Sequence, residues 1–251
     1  MWKLALLGLT GAALCAQDVA LRPAFAVSSI KPNREAAGIG GAPRRVGDRV
    51  TWINVPLPLV VYYAYNISPV RFSGNVPFDF YNIEAVTEGS PTEEQLRRMF
   101  RTLLEDRFGL KAYFETRERD VSRLVIAKDG VKLKPAAEET IIAVDGRPLP
   151  AGARGIFVGQ DGAHLAGKRA KFADLVGGLS GALQRPVLDE TGITGTFDYD
   201  VRFRLDSDFE NPNGNPYIGA AIESVLGLRL ESGRGPVEML VLDSIGKPTE
   251  N

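Results

Sequence analysis

His164 is the only histidine among 251 residues, so acid or base work by an imidazole has one place to reside. A serine nucleophile needs a base within hydrogen-bond reach, normally a histidine. Gly178-Leu-Ser-Gly-Ala182 has the outline of a nucleophile elbow. Its fifth position is Ala182 rather than glycine, and Ser180 falls inside a predicted amphipathic helix, so Ser180 reads as a small packing residue. His164, on a predicted strand edge, reads as solvated or structural. Carboxylates offer a second chemistry. Asp189 and Glu190 are adjacent at a turn, and Asp198 and Asp200 follow on one strand. A pair of these facing one cleft is what a carboxylate-dependent hydrolase needs, although adjacent acids at a turn are usually solvated.

Asp206, Asp208 and Glu210 sit in a stretch rich in oxygen ligands, the donor type that calcium takes. The run departs from the EF-hand pattern, with Asn211 at the sixth position and Tyr217 at the twelfth, and a solvated loop explains it as well. One histidine and no cysteine beyond Cys15 leave no ordinary ligand set for zinc, copper or iron. Gly38-Ile-Gly-Gly41 runs into Ala42-Pro43 without a helix start, so it is no phosphate cradle. No cofactor is expected. Trp52, Tyr62, Tyr63 and Tyr65 can form an aromatic binding surface for sugar or peptide, or pack a short helix on a sheet.

The composition, 44% hydrophobic and 24% charged, suits a packed core and argues against disorder. A formal net charge of -1 gives no field for nucleic acid or anionic lipid, and no nucleic-acid partner is expected. The first residues read as a removable leader: Lys3 is the positive start, Leu4 to Leu14 the apolar run, and Cys15-Ala16 the small residues before Gln17. That run is too short for the ~20 residues of a membrane-spanning helix. Lipid attachment at Cys15 requires a small residue before the cysteine, and Leu14 stands there. The expectation is a secreted or periplasmic protein, cut near Ala16, with no integral membrane segment and no disulfide in the mature chain.

The elements that must position these residues alternate between strand and helix. Apolar periodicity predicts strands at 25–30, 49–55 and 81–86, a helix at 57–67, and a longer helix after Ser90 that Gly109 stops. Ser90, Pro91 and Glu93 supply the expected cap, helix start and capping box. Strands at 110–116 and 121–128 follow. The second half predicts strands at 164–170, 186–189, 196–203, 228–231 and 237–245, with helices at 172–183 and 218–226. Gly109-Leu110-Lys111 aligns with Gly227-Leu228-Arg229, Val121 with Val237, and Leu124-Val125-Ile126 with Leu240-Val241-Leu242, at an offset of 116 to 118 residues. The expected class is α+β with two similar lobes, each a mostly antiparallel sheet packed with two helices, and an internal duplication as its origin. The expected organisation is a signal peptide (1–16), an N-terminal strand and loop (17–48), a first lobe (49–134), a connector (135–155) and a second lobe (156–251).

Residues 25–33, the segment 91–118 with its Leu-Leu-Glu-Asp-Arg-Phe-Gly-Leu core, the run from Arg185 to Tyr199, and the ending Gly-Pro-Val-Glu-Met-Leu-Val-Leu-Asp-Ser-Ile-Gly-Lys-Pro-Thr-Glu-Asn251 together resemble the soil-associated exported protein family of Acidobacteria, of the Solibacter type. That family is a domain of unknown function. The resemblance implies secretion and an extracellular sensing or binding role, and it carries over no catalytic residue. The chain departs from the family pattern at Ser73 to Asp79 and at Ala26. The functional expectation is a binding or interaction module for an unknown protein, peptide or envelope polymer. A carboxylate-dependent hydrolase and an accessory or sensor domain are the alternatives. N-terminal sequencing of the exported protein should begin at Gln17, and an intact Met1 or a lipid-modified Cys15 would contradict the leader as read.

Overall fold

Every run predicted as strand or helix takes that form, and the two separate strands expected at the end of each half fuse into one. The computed structural model of the chain describes residues 22–33, 41–204 and 214–249. In chain order these form β1 (Val27–Pro32), β2 (Arg44–Val46), β3 (Arg49–Pro56), α1 (Leu57–Tyr65), β4 (Phe72–Ser73), β5 (Phe80–Val86), α2 (Glu93–Phe108) and β6 (Lys111–Ile126). There follow β7 (Lys134–Pro135), the hairpin β8 (Ala143–Val144) and β9 (Arg147–Pro148), β10 (Arg154–Gly159), β11 (Gly162–Lys171), α3 (Phe172–Ala182), β12 (Val187–Asp189), β13 (Thr196–Phe203), α4 (Ile218–Leu226) and β14 (Leu228–Ser244). The class is α+β.

Three four-stranded sheets result. The first has the order β1-β5-β3-β2 and the second β10-β11-β13-β7, both antiparallel. The orders match when β7 stands for β1 and β10 for β2. Between them lies the central sheet, β12-β6-β14-β4. Its middle pair, β6 and β14, is one long antiparallel ribbon in which Leu228 faces Ile126 and Ser244 faces Lys111. Each outer strand is parallel to its neighbour and comes from the other half of the chain: β12 lies on β6 and β4 on β14.

The first core packs α1 and α2 on the first sheet around Trp52, Phe100, Leu104 and Phe108, all at most 2% exposed. The second packs α3 and α4 on the second sheet around Leu165, Leu175, Val201 and Ile222, which are fully buried. Even-numbered ribbon residues join both cores, Leu240 the first and Leu124 and Leu228 the second, because a strand places residues i and i+2 on one face. The helix starts differ from expectation at one point. Thr92, not Ser90, caps α2, exchanging hydrogen bonds with Gln95 in a capping box. The two candidates lie two residues apart, and the first helical turn begins at Glu93.

The halves repeat one backbone irregularity. β3 shifts register between Trp52 and Val55, with Asn54 at φ 51°, and β11 shifts between Gly167 and Ala170, with Arg169 at φ 51°. A side chain on the neighbouring strand holds each bulge. Asn82 Oδ1 accepts the Asn54 N–H at 2.8 Å, and Asp198 Oδ1 accepts the Arg169 N–H at 2.7 Å. The second half makes the feature ionic. Lys168 Nζ donates to Asp198 Oδ2 at 3.1 Å and to the carbonyls of Ala137 and Thr140 at 2.7 and 2.6 Å. Burial alone would push the Asp198 carboxyl up, but the Arg169 and Ala137 N–H groups and Lys168 outweigh it and hold it below the usual range. That stabilisation is present above the unfolded-state value and is lost as pH falls through the folded one.

Gly109 and Gly227 end α2 and α4 in the same left-handed conformation, φ 60° and 67°. Their surroundings differ. A Cβ on Gly109 meets nothing within 4 Å, whereas one on Gly227 would lie 2.0 Å from the carbonyl oxygen of Gly130. Gly109→Ala should therefore cost only the left-handed strain of about 1–2 kcal/mol. Gly227→Ala should add an overpacking cost of about 1–3 kcal/mol. Paired denaturant titrations check the inequality, and equal losses would contradict it.

Candidate functional site

The ribbon register sets Glu118 opposite Pro236 and Arg119 opposite Gly235 at its midpoint. At both ends the even-numbered face is covered by a core. In the middle it is not, and there a concave polar groove of about 530 Å3 opens. Glu118, Asp120 and Arg234 come from that face, and Arg119 adds its charge. One wall is the 3-10 turn Pro69–Arg71 with Phe72, and the other is Gln184-Arg185-Pro186. These walls are the lead-in segments of β4 and β12, so each half contributes one. Pro69 and Pro186 stiffen them.

The groove carries both signs. Arg234 Nε lies 3.7 Å from Asp120 Oδ1, with both side chains more than 70% exposed. On the β14 side, Arg71 donates to the carbonyl of Glu238 at 2.9 Å and to its carboxylate at 3.3 Å. On the β12 side, Arg123 reaches Glu190 at 3.5 Å. Such an arrangement binds by charge and hydrogen bonding instead of by apolar burial. A carboxyl acting as general acid needs a dry setting, and Asp120, 78% exposed, is not in one.

The residues singled out in the sequence are placed apart from this groove, except at its margin. Asp189 folds back on its own turn, accepting from the Thr191 N–H at 2.9 Å and hydroxyl at 2.7 Å. Glu190 faces Arg123, Asp198 holds the second bulge, and Asp200 faces His164, so these four acids do not share one space. Trp52 and Tyr65 lie in the first core, 2% and 9% exposed. Trp52 stacks edge-on against Tyr63 and Phe100, and Arg101 lies over the Tyr65 ring. Tyr62 is half-buried against Phe72. Ser180 is buried, donates to the Val176 carbonyl at 3.0 Å and accepts the Val187 N–H at 3.1 Å, so its hydroxyl ties β12 to α3. Asp206, Asp208 and Glu210 lie outside the described residues. Among the described residues no group of three His, Cys, Asp or Glu side chains is placed to hold a metal ion, and no helix is long and apolar enough to cross a membrane.

His164 is not at a strand edge. β11 lies between β10 and β13, and the ring is 1% exposed. Nδ1 is 2.8 Å from Asp200 Oδ1 and Nε2 is 2.7 Å from Asp161 Oδ1. Arg202 closes the cluster on Asp161 at 2.9 Å. Sequence reasoning missed Asp161, because its approach to His164 depends on the β10–β11 turn and not on helical spacing. Burial would push the imidazole down, but hydrogen bonds to Asp161 and Asp200 prevail and hold it above its usual 6.5. The His164 hydrogen bond in turn lowers Asp161. When both nitrogens are protonated, each donates to a carboxylate and the ring has no lone pair to offer a substrate or a metal.

The imidazolium's contribution to stability is complete below the unfolded-state value and fades as pH rises through the folded one. Because there is one histidine, its ring resonances should titrate without ambiguity by NMR, with a midpoint above 6.5. Asp200→Asn should lower that midpoint, and an unchanged value would contradict the assignment.

Neither the curated proteins nor the solved structures contain a match to the chain. A family model, Protein of unknown function (DUF3738), matches residues 59–245. That span includes both groove walls and the ribbon midpoint. The chain belongs to the DUF3738 family.

Proposed function

We propose that the protein is a binding module of the cell envelope or its exterior, whose ligand enters the polar groove at the ribbon midpoint. The observation that carries this reading is the groove itself. It is concave, it is built from both halves, and its charged groups are solvated and not consumed by the fold. Export is supported by the leader pattern of residues 1–16 and by the resemblance to the acidobacterial exported proteins. The repeated bulge and matching sheet orders support an internal duplication, which would make the groove a local two-fold site. An extended peptide or an envelope polymer bearing both carboxylate and amine groups suits a surface of mixed sign. The scatter of Asp189, Glu190, Asp198 and Asp200 over separate neighbourhoods favours binding over hydrolysis by those acids.

Calorimetry with zwitterionic peptides and soluble peptidoglycan fragments tests the reading. Binding by the native protein should weaken at least tenfold, about 1.4 kcal/mol, in the double variant Arg119→Glu, Arg185→Glu. A ligand bound equally by both proteins would place the binding surface elsewhere.

A further inference from the structure

The two outer edges of the ribbon are not finished alike. Ser122 donates its N–H to the Pro186 carbonyl at 2.9 Å, and Leu124 accepts from the Glu190 N–H at 3.0 Å. Even-numbered residues of β6 therefore turn their backbone groups away from β14. β12 uses this edge only from Ser122 to Leu124. From Lys111 to Asp120 no backbone group among the described residues pairs with it, leaving about 33 Å of open strand edge.

The matching edge of β14 is blunted. It carries Gly233, Gly235 and Pro236, and Pro236 has no N–H to leave unpaired. Arg123 caps the Arg234 carbonyl at 3.0 Å, and Arg71 caps that of Glu238. β6 has no glycine or proline from Lys111 to Ile126. It also exposes Tyr113 and Phe114, by 53% and 44%. Proteins normally protect such an edge unless it is used.

The charges along this edge complement themselves. Tyr113, Glu115, Arg117 and Arg119 alternate on one face of β6. If a second β6 pairs antiparallel about Thr116, near the centre of the open stretch, Glu115 faces Arg117 of the other copy and Tyr113 faces its Arg119. By symmetry each contact occurs twice. Moving the centre to Glu118 instead sets Arg117 against Arg119 and Glu118 against itself. From the open edge and this register we infer that two copies of the chain join through β6, centred on Thr116, with Phe114 and Glu118 exchanging backbone hydrogen bonds. Cross-strand ion pairs and an arginine over each tyrosine ring fix the register.

Sedimentation of the mature chain over a wide concentration range tests this inference. The native protein should dimerise, and the Phe114, Thr116 and Glu118 amides should gain hydrogen-exchange protection as the dimer forms. Thr116→Pro removes the central donor at an edge position that proline tolerates, as Pro236 does on the equivalent edge, and should raise the dissociation constant at least tenfold. Arg117→Glu should do the same by placing a carboxylate opposite Glu115, and adding Glu115→Arg should restore association. Circular dichroism confirms that each variant is folded. A chain that stays monomeric at every concentration overturns the inference, even if an added peptide protects the same amides. So does a dimer that is indifferent to both single variants.

Discussion

The structure depends on the pairing of β6 with β14. Each half packs its own sheet and helices only up to its last strand, and that strand finds its long partner in the other half. The exchange is doubled by β4 and β12, which flank the ribbon strand contributed across the molecule. Leu124, Leu228 and Leu240 then seal the two cores from opposite ends of one ribbon. The hydrophobic burial that stabilises either half is therefore incomplete without the other, and unfolding is expected to involve both together.

Within that frame the halves solve one backbone problem with different chemistry. A left-handed residue interrupts the second strand from the edge in both outer sheets, and its N–H needs an acceptor. The first half uses neutral amides, with Asn33 donating to Asn54 and Asn82 at 3.0 and 3.3 Å. The second uses Asp198 with Lys168, and the charge also gathers the carbonyls of Ala137 and Thr140. A buried ion pair of this kind gains little net stability over an apolar pair, but it fixes which segment lies against the strands. Here it clamps the segment from Ala137 to Thr140 to the second sheet.

Local pattern made most of the fold legible. Alternation along 196–203 and the stripe from Leu96 to Phe108 reflect the periods of strand and helix, and both elements formed as expected. What stayed hidden depends on pairing between distant residues. The charged run from Thr116 to Asp120 looks like a break between two strands, because nothing in composition shows that β14 lies alongside it. The short strands β2, β7 and β10 are edges whose partners supply their order. The groove escaped notice for the same reason: its floor and its two walls are far apart in sequence and are joined by register alone. His164 could be singled out by rarity, yet its burial and its two carboxylate partners follow from a turn and a cross-strand neighbour.

The crossed placement of β4 and β12 also decides what the segment between β7 and β8 does. Each of these strands is gripped by the opposite half, so the two portions of the molecule are clasped mechanically as well as covalently. A protease that nicks the exposed stretch near Glu138 and Glu139 would leave a chain in two pieces that still behave as one particle. The link between the lobes acts as a tether that raises their effective concentration, while the woven strands do the holding.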